Sequence, residues 1–109
     1  RAEDTDWARI AALYATLAQV QPSPVVELNR AVAVGKAQGP AAALVLVDAL
    51  RDAAQLRDYG LLYAVRGDLL EQLGRRDEAH GEFERAASLA TNARDRELMQ
   101  ARASAGATS

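Results

Sequence analysis

The chain of 109 residues contains no cysteine, which excludes disulfide cross-links, thiolate nucleophiles and thiolate metal sites. Aromatic residues make up only 5% of it, and β-branched residues are also few, so the residues that strands favour are in short supply. A surplus of one charge is missing too. The 13 basic and 15 acidic residues are interspersed and leave a net charge of −2. A nucleic-acid-binding surface takes most of its affinity from phosphate contacts and shows as a basic stripe. With no stripe present, direct nucleic-acid contact is not expected. No apolar run approaches the roughly 20 residues that cross a bilayer, and no signal-peptide pattern opens the chain, so a cytoplasmic location without membrane contact is expected. The first residue is Arg1 and not methionine, which suggests a piece of a longer protein. What is plentiful is alanine and leucine, within a hydrophobic share of 50%. Alanine lets helix axes approach and leucine fills the space between them. The composition points to an all-α domain.

Periodicity and punctuation divide the chain into six helical segments. Asp4 and Thr5 are placed to cap a first helix whose apolar positions, Trp7, Ile10, Ala11, Tyr14, Leu17 and Ala18, follow helical steps of three and four. Pro22 and Pro24 stop it, and Ser23-Pro24 starts the next with serine at the N-cap and proline at the first position. That second helix carries Val25, Leu28, Ala31 and Val32 and loosens towards Gly35. A third, from about Pro40 to Ala53, is apolar on nearly every side, as in a helix between two neighbours. The fourth runs from about Tyr59 to Leu73, where Gly74 closes it. The fifth opens at Asp77, with Ala79, Phe83, Ala86, Ala87 and Ala90 on one face. Asn92 and Asp95 form a capping pair for a short sixth helix anchored by Leu98 and Met99. Residues 1–5 read as a linker remnant, 6–102 as the domain, and 103–109 as a disordered tail. Short connections between helices of similar length predict antiparallel hairpins.

Residues Tyr63 to Asn92 carry a tetratricopeptide pattern: Gly67 on one helix, Gly74 in the turn, then Ala79, Phe83 and Ala86 on the next. Phe83 is the aromatic plug between small residues. Gly39 precedes Gly74 by about one repeat period of ~34 residues, and Trp7 to Pro22, with Tyr14 as its plug, resembles the second helix of a still earlier unit. The fold expected is a tetratricopeptide-like right-handed superhelix of about five to six antiparallel helices. Some two and a half units leave an apolar end exposed.

Candidate chemistry is sparse. His80 is the only histidine; Glu84 alone shares its face at i, i+4, and one partner is too few for acid–base or metal work. No nucleophile motif and no phosphate-binding glycine loop is present. Catalytic, metal and cofactor residues are therefore expected to be none, and the chain is not expected to be an enzyme. Polar residues interrupt the apolar helices at Asn29, Arg30, Arg66 and Asp68. In tetratricopeptide register Asn29, Ala33 and Lys36, then Ala64, Asp68 and Glu71, face a concave groove, with Arg30 beside them. Asp68 and Glu71 there favour a basic or apolar ligand segment. The other reading is that Arg30, Arg66 and Asp68 form an inter-helix network that fixes packing.

Motif order adds a resemblance. Asp6-Trp7 with Ile10 to Tyr14 is followed by Pro22-Ser23-Pro24-Val25-Val26 and by the run Leu28-Asn29-Arg30-Ala31-Val32-Ala33-Val34. Gly39-Pro40-Ala41-Ala42, the stretch Tyr59 to Leu70, Leu73-Gly74-Arg75, Glu78-Ala79 and Phe83-Glu84-Arg85-Ala86 come after it. Together these resemble the C-terminal extension of a class of bacterial extracytoplasmic-function RNA polymerase sigma factors. The family often has histidine where this chain has Gly60, and alanine where it has Gly67. The resemblance implies a regulatory, protein-interaction role in transcription initiation. Its partners would be the sigma-factor core domains of the same chain, RNA polymerase or a regulatory protein. A free-standing tetratricopeptide adaptor is the alternative.

Overall fold

The protein is described by a computed structural model covering residues 5–107, with side chains described for 5–105. Among these residues there are six α-helices, one short 3₁₀ turn and no strand: α1 (Trp7–Val20), α2 (Pro24–Gln38), α3 (Pro40–Ala49), the turn Ala54–Leu56, α4 (Gly60–Gln72), α5 (Arg76–Leu89) and α6 (Ala93–Ala107). The all-helical expectation therefore holds.

Local chemistry accounts for most helix ends. The Asp6 carboxylate accepts from the Arg9 amide at 3.0 Å, so Asp6 caps α1; of the expected capping residues, Asp4 lies outside the described residues. Pro24 opens α2 and Pro40 opens α3, each where a missing N–H costs nothing. The expected loosening at Gly35 does not occur. α2 runs on to Gln38, because Gly35 is where α3 comes close: a Cβ there would lie 3.1 Å from that of Ala43. The chain then reverses at Gly39 with φ of 101°, a conformation that glycine adopts without strain. α4 ends in a Schellman turn. Gly74 has φ of 78°, its amide donates to the Glu71 carbonyl at 3.0 Å, and the Arg75 amide donates to Leu70 at 2.9 Å.

Two further boundaries differ from expectation. α3 stops at Ala49, four residues early by the sequence reading, and the chain passes through turns that bury Leu56 completely. α6 is not short. It spans 15 residues to Ala107, so 103–107 are helix where a disordered tail was expected, and Ala103 is buried at 4% exposure. Small residues bring α6 close to α5, and that packing extends the helix beyond its two visible anchors. Residues 108–109 of the expected tail, like 1–4 of the expected linker, lie outside the described residues.

Each helix packs on the next in chain order, from α1 on α2 through to α5 on α6, and α2 also touches α4. The main core joins Leu28 and Ala31 of α2, Leu44 and Val47 of α3, Leu62 and Leu70 of α4, and Phe83 of α5. A second cluster holds α1: Ala11 with Ala33 and Val34, against which Trp7, Ile10 and Tyr14 are half-buried. α3 does lie between two helices, but not with every side covered, since Val45 is 70% exposed.

Candidate protein-interaction groove

Two concave surfaces border α4. Between α2 and α4 lies a cavity of about 270 Å³, lined by Val32, Lys36, Val65, Asp68 and Gln72 among others. Between α4 and the α5–α6 side lies another of about 480 Å³, with Leu61, Leu89 and Met99 on its apolar wall and Asp58 and Asp95 at its rim. Ala64 lines both. Its small side chain keeps the floor low where the two meet, so they form one strip along the outer face of α4. Helix geometry explains the membership: Leu61, Ala64, Asp68 and Gln72 recur at steps of three and four on one face.

The expected groove residues separate on inspection. Lys36, Ala64 and Asp68 line the strip. Asn29 is partly exposed one face-repeat earlier on α2, its amide bonded back to the Val25 carbonyl at 3.1 Å. Ala33 does not face the groove; it is buried in the α1 cluster, and Val32 and Gly35 take its place. Arg30 is held by Glu27 at 3.2 Å within its own helix. Glu71 stands at the edge, where Arg102 of α6 donates to it at 2.8 Å and to Asp68 at 3.0 Å. The two acids are thus partly neutralised from within, and Lys36 makes no ion pair among the described residues. Partial burial alone would pull the Arg102 guanidinium down, but its hydrogen bonds to Asp68 and Glu71 outweigh that and hold it above its ordinary value.

Arg30, Arg66 and Asp68 do not form one network. Residues 66 and 68 are two apart on α4 and point to different sides. Arg66 is instead buried on the α3–α5 side, donating to Asp48 at 2.8 Å and to Glu82 at 2.9 Å. His80 is more engaged than a solvated surface histidine. Its Nδ1 faces the Ala103 carbonyl at 2.7 Å and its Nε2 faces Glu84 at 3.0 Å. No cluster of potential metal ligands occurs among the described residues, and no described helix is long and apolar enough to cross a membrane.

Comparison with known proteins finds one relative in Rhizobium meliloti (strain 1021). Over 93 residues, 85% of this chain, the two are 54% identical; the relative bears the description "uncharacterized protein". The chain spans about a fifth of that relative's length. No family model matches the chain, and no solved structure matches it.

The sequence reading missed Arg102, the residue that joins α6 to α4, because it placed the domain's end there. No local pattern signals the pair, since the two residues are 34 positions apart.

Proposed function

We propose that this chain is a protein-interaction domain of tetratricopeptide type that serves as the regulatory extension of an extracytoplasmic-function sigma factor. The observation that carries the binding half is the strip along α4, with Ala64 as the floor of both its cavities. It supports binding because it is concave, mostly apolar and fringed by separate charges, Lys36 towards one end and Asp58 and Asp95 towards the other. The tetratricopeptide reading is supported by the Asp68–Arg102 pair, whose spacing of 34 equals the repeat period, and by the packing of each helix on its chain neighbour. The transcriptional half rests on motif order, above all Leu28-Asn29-Arg30-Ala31-Val32-Ala33 after Pro22-Ser23-Pro24.

In this reading the groove holds a segment of the sigma core or of a regulator. It shifts the balance between polymerase-competent and incompetent states by binding one better than the other. The deciding experiment is promoter-specific transcription by the protein that carries this domain, compared with the same protein lacking residues 5–107. Ala64→Arg is the point variant, because it fills the floor without touching the core. Altered transcription in both is expected. Transcription indifferent to both the deletion and Ala64→Arg sinks the regulatory reading, and retained binding of a partner by Ala64→Arg sinks the groove.

A further inference from the structure

The last helix is held differently from the interior helices. α5 buries Ala79, Phe83, Ala86 and Ala87, whereas among the described side chains of α6 Ala103 alone is buried. Met99 is partly covered, and Leu98 is 56% exposed. Arg94, Asp95, Arg96 and Glu97 crowd its first turns. With so little apolar area removed from water, hydrophobic burial contributes less here than to any interior helix.

Polar and cation–π contacts gather instead at its C-terminal half. The Arg102 guanidinium lies 4.3 Å from the centre of the Phe83 ring while reaching Asp68 and Glu71 on α4. At the next residue of α6, the Ala103 carbonyl is bonded by His80, which lies about one turn before Phe83 on α5. Arg102 therefore spans α6, α5 and α4 at once, and its side chain and both carboxylates are only partly covered from solvent. Ion pairs of that exposure are weakened by salt and by competing cations.

We infer that α6 is a displaceable wall of the groove, latched shut by Arg102 on Asp68, Glu71 and the Phe83 ring. α6 supplies Asp95 and Met99 to the cavity beside α4, so release of the latch dismantles that side of the strip and uncovers the Phe83 ring. A cationic side chain from an incoming segment competes for the same two carboxylates. The consequence for binding rests on the groove reading; the latch itself does not.

Hydrogen exchange of the full chain, read by mass spectrometry at low and high ionic strength, tests the latch without any partner. Protection of the α6 amides is expected to fall about tenfold at high salt, while α4 and α5 stay protected. The isosteric pair Asp68→Asn with Glu71→Gln is expected to lower α6 protection to a similar level and to abolish its salt dependence. Arg102→Gln, from the opposite side of the latch, is expected to do the same. α6 protection that ignores both salt and these variants overturns the inference. So does loss of protection in α4 and α5 in step with α6, which would make α6 part of one cooperative core. Neither outcome depends on Ala64→Arg, so the latch and the groove fail separately.

Discussion

Phe83 shows how much one side chain organises. It is fully buried, with Arg102 over its ring and Gly67 of α4 against it. A Cβ at position 67 would lie 2.8 Å from Cε1 of that ring and 3.0 Å from two further ring atoms. The ring is fully buried and also in contact with Arg102, so it has little room to retreat. Gly67→Ala removes a helix-weakening glycine, a gain of about 0.5–1 kcal/mol, but overpacks the α4–α5 seam at a cost of about 1–3 kcal/mol. A net loss of stability is expected in chemical denaturation; a net gain would mean that the seam yields freely. A smaller effect belongs to the turn after Gly74, where the Arg75 guanidinium donates to both oxygens of Glu78 at 2.6 and 2.8 Å. That hydrogen bond holds the Glu78 carboxyl below its usual range. A depressed carboxyl stabilises the folded state above its unfolded pKa, and the contribution disappears as pH falls through the folded value. Glu78→Gln is accordingly expected to lower the melting temperature slightly at neutral pH and to match the parent in acid. Both groups are exposed, so added salt is expected to shrink the difference.

Helices here are delimited by caps but joined by a few specific ties. Asn92 accepts from the Asp95 amide at 2.8 Å and donates to its carboxylate at 3.0 Å, the pairing that its spacing predicts. α3, α4 and α5 are joined by Arg66, at 5% exposure the one buried charged residue among those described. Its partners differ: Asp48 is 44% exposed at the side chain and Glu82 16%. Arg66→Ala would strand Glu82 more than Asp48, which water can serve. A loss of about 2–3 kcal/mol is expected, at the lower end for a broken buried pair because of that exposure. Double-mutant cycles should find stronger coupling of Arg66 to Glu82 than to Asp48; equal coupling would contradict the burial argument.

At the scale of the whole molecule, each helix packs on its neighbour in chain order, and the main core is shared by the interior helices α2 to α5. The interior and the ends then differ. α1 is attached through α2 and leaves Leu13, Leu17 and Val20 on an exposed face, at 61%, 38% and 73%. Native-state hydrogen exchange is expected to be graded, strongest in α4 and α5 and weaker in α1 and α6. Uniform protection along the chain would show a single cooperative core instead. Polar replacement of Leu13 and Val20 is expected to change stability by no more than about 0.5 kcal/mol, since neither is packed.

Much of this was legible along the chain. Glycine and proline marked the turns, alanine and leucine spacing marked the helices, and Gly67, Gly74, Ala79, Phe83 and Ala86 marked one hairpin, because backbone conformation and burial pattern are local properties that repeat every few residues. Groove membership was legible in part: Lys36, Ala64 and Asp68 follow from face periodicity, whereas Ala33 turned towards α1 by a rotation of α2 that no pattern within α2 specifies. The charge partners were not legible at all. Arg66 chose Asp48 and Glu82, and Arg102 chose Asp68 and Glu71, across separations of 16 to 34 positions. Sequence determined where helices form and which face of each is apolar. Only the tertiary structure decided which charges meet and that α6 lines the cavity beside α4, because those contacts depend on how far and at what rotation the helices approach.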